Sequence, residues 1–435
     1  MHFRSLFFPA AILFAAGTVQ AAIENATLDA AYAAVEPRVI EWRRDLHQNP
    51  ELSNREFRTA EKVAEHLRAL KFDTVETGVA HTGVVGTLRG GKPGPVIALR
   101  ADMDGLPVQE QTGLPFASSA RGEYMGKDVP VMHACGHDTH VAMLMGAAQI
   151  LAQHREDLAG TVKFIFQPAE EGAPPGEEGG AALMVKEGVL DGPEAPEAII
   201  GLHVWPDDAG SLVYRSGSFM AAADSIEITI TGRQTHGSSP WLGVDPIYVA
   251  GQVLSALQGI PGRHIDITRG PAVLTIGSIQ GGVRGNIIPD DVTMLGTVRT
   301  FDRGERERLL ERLRATVTAI AEANGASATV DVTYSTPVTG NDPQLLRQMM
   351  PTLVRAAGED RVFEGNLITG AEDFSYYQEH IPGMFIMLGV GDPSVPRSER
   401  PSNHSPFFTA REDALIVGVR TLVGFAMDYA ERGGR

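Results

Sequence analysis

Short, nearly unbroken apolar runs at residues 83–88, 96–100, 162–166, 198–202 and 384–389 alternate with segments of helical periodicity. No other feature of the chain narrows its fold as much. A run that is apolar at every position leaves no face for water, so it reads as a strand covered on both sides. Strands of that kind joined through helices make a mainly parallel sheet with helices on both faces, an α/β architecture. The first helix is expected at 27–46, with Leu28, Ala31, Val35, Val39, Trp42 and Leu46 on one face and a stop at Asn49-Pro50. A second carries Phe57, Ala60, Val63, Ala64 and Leu67, with Asn54 as the expected cap. Further helices are read at 140–153, 181–187, 343–356 and 409–429, and residues 90–94 (Gly-Gly-Lys-Pro-Gly) as a turn.

Near Gly217 the pattern changes. Ile226, Ile228 and Ile230 alternate with polar residues, as in a half-exposed strand at 225–231. A helix at 246–257, strands at 273–279 and 292–300, a charged amphipathic helix at 305–323 and a strand at 328–334 follow. The order β-α-β-β-α-β is that of a ferredoxin-like α+β unit, with one open sheet face and an edge free to pair. At 435 residues the chain exceeds one ordinary core. It is therefore expected to hold a discontinuous α/β domain, 22–216 and 335–435, interrupted by an insert at 217–334.

The first 21 residues have the marks of a leader. Arg4 precedes an apolar run at 6–16, and Val19-Gln20-Ala21 is a small-x-small cleavage pattern. Export to a periplasmic or extracellular space, with cleavage near Ala21, is the expectation. With 54 acidic and 37 basic residues the net charge is −17, and loss of Arg4 takes it to −18. That balance argues against nucleic acid or an anionic membrane surface as partner. No segment after the leader reaches the roughly 18 uninterrupted apolar residues of a membrane span.

The chemistry gathers around Met132-His133-Ala134-Cys135-Gly136-His137-Asp138-Thr139-His140, which holds the only cysteine and three of the thirteen histidines. A lone cysteine is on residue type alone a small core residue. A thiolate and an imidazole one residue apart also suit a borderline metal such as zinc. In an oxidising compartment a free thiol is open to oxidation unless buried or coordinated. Further candidates fall at the ends of apolar runs: Asp102 and Asp104, Glu170 and Glu171, His203, and His404 before the last helix. In open α/β sheets the carboxyl ends of strands are where ligands bind, so these residues can converge. Of two adjacent glutamates in a loop, one can bind metal while the other stays free as a general base for hydrolysing an amide.

Several stretches resemble the amidohydrolase family of hippurate hydrolases and plant indole-acetyl-amino-acid hydrolases, within the two-metal aminoacylase/carboxypeptidase group. They are Ala98-Leu99-Arg100-Ala101-Asp102-Met103-Asp104-Gly105-Leu106-Pro107, the Cys135/His137 stretch, Gln167-Pro168-Ala169-Glu170-Glu171-Gly172 and Gly201-Leu202-His203-Val204-Trp205-Pro206. Gly370-Ala371-Glu372-Asp373-Phe374 and Asn403-His404-Ser405-Pro406 complete the set. The resemblance implies a metal-bearing catalytic domain and a smaller insert that acts as lid and dimerises. It implies two divalent ions (zinc, manganese, cobalt or nickel), with Cys135 bridging them, His137, Glu171, His203 and His404 as further ligands, and Glu170 as base. Asp104 would orient a ligand. His236 and Asn286 would meet the substrate, often across a dimer, although Asn286 beside Gly285 also reads as a turn residue. Arg299 could hold a substrate carboxylate or be a solvated edge-strand residue. Thr235 and Arg284 depart from the family pattern near the expected pocket. The acidic loop 173–180 is expected to be solvated rather than a pocket wall. The expected activity is hydrolysis of N-acyl or N-aroyl amino acids. The alternatives are a carboxypeptidase or dipeptidase acting on short peptides, and a non-catalytic binding relative.

Overall fold

The structure, a computed structural model, describes residues 11–431, with side chains over 27–430. Residues 1–10 of the expected leader lie outside the described residues. From Ala11 the backbone already belongs to the helix Ala11–Gln48, which extends upstream of the expected start at 27.

The larger sheet has eight strands. Its centre is parallel: Ala159–Gln167, Lys92–Asp102, Ala198–Asp208 and Gly383–Gly391 lie side by side in that order. Every residue of Gly383–Gly391 is buried, which is why these segments read as continuous apolar runs. Antiparallel strands Gly83–Arg89 and Thr74–Val79 extend one side. On the other, Leu212–Tyr214 runs antiparallel to Gly383–Gly391 and pairs in parallel with Val362–Glu364. Helices cover both faces. Ala11–Gln48, Phe57–Ala69, His137–Gln153, Pro343–Ala357 and Leu415–Glu431 pack over one core, while Gly180–Lys186 and Ser375–Gln378 pack over the other.

Several boundaries differ from expectation for local reasons. The strand Lys92–Asp102 absorbs most of the expected turn at 90–94. The last helix begins at Leu415 because a short 3-10 turn, Glu412–Ala414, precedes it. Asn54 is not a cap. It has a left-handed φ of 59°, and its amide donates to the Glu178 carbonyl and the Glu177 carboxylate. The Glu51 carboxylate instead accepts from the amides of Arg58 and Thr59 in the first turn of Phe57–Ala69. His203 does not end its strand, which continues to Asp208. The pairing with Lys92–Asp102 stops at Arg100 opposite Gly201, so His203 lies just past it, near the end of that neighbour.

The second sheet is fully antiparallel, in the order Ala272–Gln280, Asp291–Thr300, Ala222–Thr231, Ser327–Thr336. Helices Pro246–Leu257 and Arg303–Ala323 bury Ile226, Ile228, Ile230, Val292 and Met294 on one face. The topology is that of a ferredoxin-like unit. Both connections to the larger sheet run side by side, as Gly217–Met220 pairs with Thr339–Asn341.

Candidate metal centre and active-site cavity

The helix His137–Gln153 opens at the centre of the site, and the turn before it is dictated by Gly136. Its φ is 96°, and a Cβ there would lie 2.3 Å from Val204 Cγ2. Only glycine allows this bend, which separates Cys135 from His137 while keeping both in one cluster. Cys135 Sγ lies 3.4 Å from His203 Nε2. Cys135, His137 and His203 form one group whose ligand atoms all fall within 4.8 Å of one another, and Cys135, Glu171 and His404 form a second. Cys135 is common to both. A third group contains His137, Glu170 and Glu171. The five expected ligands and Glu170 are thus brought together.

The histidine tautomers follow from their partners. His137 Nδ1 donates to the Asp104 carbonyl at 2.9 Å, and His203 Nδ1 to the Val204 carbonyl at 2.8 Å. Each ring therefore turns an Nε2 lone pair inward, and the buried His137 Nε2 has no hydrogen-bond partner. His140 is different. Its Nε2 accepts from the Val204 amide at 2.8 Å, so Nδ1 carries the proton that it donates to Asp102 at 2.5 Å. With both nitrogens engaged, His140 has no lone pair to offer a metal. The orphaned nitrogen, the thiol and the convergent carboxylates fit a pair of divalent cations.

Electrostatics agree with that fit. Burial, then the carboxylates of Glu171, Glu170 and Asp102, hold the Cys135 thiol well above its ordinary range, a balance that a cation would reverse. Burial works against charging His137, yet Asp102 and Asp104 prevail and push it up to about 10, so the proton these carboxylates hold on Nε2 is the one that a cation would displace to use that nitrogen's lone pair. Burial, followed by Glu372, Glu171, Asp373 and Asp102, raises the Glu170 carboxyl well above the usual range. His404 is raised by its contact with Glu171, 3.0 Å away. His404 also holds a φ of 69°, a left-handed conformation that costs energy in a residue of this size.

Backbone supports fix these groups. The Asp104 carboxylate accepts from Ser53 Oγ and from the amides of Glu170 and Glu171, so one side chain orients His137 and the acidic loop together. The Asn403 amide donates to the Cys135 and Val204 carbonyls, tying the His404 loop to the cluster. Beneath Glu170, the fully buried Arg100 pairs with Asp102 at 2.6 Å, Asp373 at 2.9 Å and Glu372 at 3.0 Å. Reading the sequence did not find the Arg100 network; its one signal was an arginine in an otherwise apolar run. His133 is buried with neither ring nitrogen partnered, and burial lowers it to about 4. The structure gives it no role.

A cavity of about 700 Å³ separates the cluster from the open face of the second sheet. Cys135, Glu170, Glu171, His203 and His404 form one wall, and Thr297, Arg299 and Thr336 part of the other. Arg299 lies on Asp291–Thr300, which is paired on both sides, so it is an interior-strand residue rather than an edge one. Among the described residues no ion pair or hydrogen bond engages its guanidinium. A smaller cleft of about 280 Å³ also reaches Glu171, and Pro174 and Pro175 line it. Two residues of the loop 173–180 thus border this cleft, while Pro175, Gly176 and Glu178 are exposed as a solvated loop requires. Pairing of Glu177 with Arg55 and Asn54 draws it inward.

Residues 98–428 match the sequence family described as Peptidase family M20/M25/M40. The chain belongs to that family. It is 38% identical over 405 residues to thermostable carboxypeptidase 2 of Saccharolobus solfataricus, covering 92% of this chain and 97% of the relative. It is 40% identical over 399 residues to an N-acetylcysteine deacetylase of Bacillus subtilis, covering 92% and 98%. A solved structure of a dinuclear metal-binding M20 peptidase from Bacillus subtilis superposes with a TM-score of 0.77 at 36% identity, covering 92% of this chain and all of that one. The chain is a metal-dependent amidohydrolase of this family.

His236, Asn286, Thr235 and Arg284 line neither cavity of the single chain. Thr235–His236 pairs with Ile287–Ile288 in a separate two-strand ribbon on the insert. His236 and Asn286 are exposed there, and the Ile287 amide donates to the Arg284 carbonyl, so Asn286 sits within a turn.

Proposed function

We propose that this enzyme cleaves the amide bond of N-acyl or N-aroyl amino acids, releasing a carboxylic acid and an amino acid. The observation that carries the reading is Arg299, a cation without a partner among the described residues, across the cavity from a buried cluster of thiol, imidazole and carboxylate groups. An unpaired guanidinium facing a reaction centre suits the free carboxylate of an amino acid. Cys135, His137, Glu171, His203 and His404 would hold two divalent ions. Such ions supply Lewis acidity, activating water and polarising the carbonyl. Glu170, whose carboxyl falls in one group with His137 and Glu171, would take the proton of the attacking water and return it to the leaving nitrogen. Asp104 keeps His137 in the tautomer that faces inward.

The test is hydrolysis of a panel of acylated amino acids and dipeptides by metal-loaded protein. Cleavage of acylated amino acids is expected; preference for dipeptides would favour the peptidase reading. Binding of about two ions per chain without any cleavage would favour a non-catalytic relative.

Two companions to this reading are also proposals. Residues 1–21 would be removed on export, which intact mass of the exported protein would test by a start near Ala22. The insert would pair two chains, supported by exposed Trp241, Leu242, Tyr248 and Val283 near His236 and Asn286. Light scattering at twice the chain mass would agree with it, and a monomer would not.

A further inference from the structure

We infer that Glu56 is a positioning residue for the catalytic loop: it holds the bend at Ala169 from which Glu170 and Glu171 are presented to the reaction centre. The inference rests on the hydrolase reading above and deepens it.

The loop after the strand Ala159–Gln167 is shaped from outside. Ala169 holds a left-handed φ of 53°, a conformation that costs energy in any residue with a Cβ. It is also buried, so its amide needs a partner other than water. Three successive amides of this loop are met by two carboxylates. Those of Glu170 and Glu171 donate to Asp104 Oδ1 and Oδ2 at 3.1 and 3.0 Å, and that of Ala169 donates to Glu56 Oε1 at 2.9 Å. Asp104 thus fixes the two acidic residues, and Glu56 fixes the bend that aims them.

Glu56 is itself held in place. It is fully buried, and its Oε2 lies 2.5 Å from Thr82 Oγ1. Thr82 closes the turn between Thr74–Val79 and Gly83–Arg89, where Ala80 and His81 take φ of 48° and 78°. From that turn His81 Nε2 donates to the Glu178 carbonyl at 3.0 Å, further along the same loop. Residues 53–56 act as one clamp. Ser53 donates to Asp104, Asn54 to the Glu178 carbonyl and Arg55 to the Glu177 carboxylate, while Glu56 accepts from Ala169. The helix Phe57–Ala69 does not need the Glu56 carboxyl, since Glu51 meets its first-turn amides.

Glutamine can copy this arrangement and alanine cannot. Burial, then Asp104, pushes the Glu56 carboxyl up to about 8. Near neutral pH it is therefore a neutral acid, with one oxygen accepting from Ala169 and the other carrying a proton towards Thr82. A glutamine offers its carbonyl to Ala169 and its amide to Thr82 Oγ1 in the same way. Alanine leaves the Ala169 amide buried and unpaired, so the bend loses its support.

The experiment compares Glu56→Ala and Glu56→Gln with wild type by two readouts. One is amide hydrogen exchange across residues 167–173. The other is kcat and KM on the N-acyl amino acid that wild type cleaves best, at matched metal content. In Glu56→Ala exchange across 167–173 should speed up by about tenfold or more, while the helix His137–Gln153 stays protected. Its kcat per metal-loaded site should fall by roughly 10- to 100-fold. KM should stay within about threefold, because Arg299 and the insert are untouched. Glu56→Gln should keep both exchange and kcat within about threefold of wild type. Unchanged exchange in Glu56→Ala, a loss carried by KM alone, or an equal loss of kcat in the two variants overturns the inference and leaves the hydrolase reading standing. Where Glu56→Ala does not fold, Thr82→Val, which removes the second anchor of Glu56, should show the same two changes at a few-fold size, and their absence overturns the inference. If wild type cleaves no acylated amino acid, the hydrolase reading falls, and exchange alone decides whether Glu56 holds the loop.

Discussion

The two hollows that meet at Glu171 differ in the state of their arginines. On the insert side Arg299 has no partner among the described residues and faces Cys135, Glu171, His203 and His404 across a roomy, mixed cavity of about 700 Å³. On the side of the hairpin formed by Arg121–Tyr124 and Lys127–Pro130, Arg55 is paired with Glu177, and leucine, proline, tyrosine and methionine line the cleft beside Ser53, Glu123 and Glu171. A free cation recruits an anion, whereas a paired one is removed from recognition and leaves shape and apolar area to decide. On the proposed reading, that difference would give the site a direction, with a substrate's carboxylate on the Arg299 side.

Removing the metals should erase the chemistry on which both hollows depend. Treatment with a chelator is expected to lower kcat/KM by a thousand-fold or more, on the order of several kcal/mol of lost stabilisation, with recovery on adding a divalent ion. Full activity in a protein shown to be metal-free would break the account. Arg299→Ala tests the insert side. A charge-assisted contact is worth about 1.5–3 kcal/mol, so roughly 10- to 100-fold in kcat/KM should be lost on acyl amino acids. The corresponding carboxamide substrates should lose little, and an equal loss on both would deny Arg299 its role. On the hairpin side, Glu177→Gln releases Arg55 and should raise the rate on N-succinyl relative to N-benzoyl substrate by a few-fold, as expected of a half-exposed charge. No change in that ratio would mean that the Arg55 pair does not shape selection. The smallest effect is a titration. Hydrogen bonds from Arg55 and Asn54 bring Glu177 down to about 2. A depressed folded pKa means that the pair stabilises the loop above the ordinary carboxyl value near 4.5, and that this contribution is lost as pH falls towards 2. In Arg55→Ala the Glu177 carboxyl, followed by NMR, should titrate closer to 4.5.

The legibility of the chain follows the same divide. The parallel strands were readable because burial on both faces forces every position apolar, as in Gly383–Gly391. Cys135 and His137 stood out as the only thiol beside an imidazole, and Glu171, His203 and His404 as polar residues read at the ends of apolar runs, and the fold brings the five together. The hairpin Arg121–Pro130 left no such trace, since its strands are four residues each and mostly exposed. Asn54 looked like a cap because its type suits one, but the first-turn amides of Arg58 and Thr59 are met by Glu51, seven and eight residues before them and beyond the usual capping reach. Loop 173–180 looked solvated because its acids are visible in sequence and the Arg55 and Asn54 that draw it in are over a hundred residues away. Long-range pairs of this kind carry no local signal.

The most direct test of the central claim replaces Glu170 by glutamine and measures amide hydrolysis and metal content together. The account predicts about two divalent ions bound in both proteins, with kcat lowered by about 10²- to 10⁴-fold in the variant, the range of a lost proton-transfer group. Equal metal and undiminished kcat would contradict it, because the base would then have to be some other group.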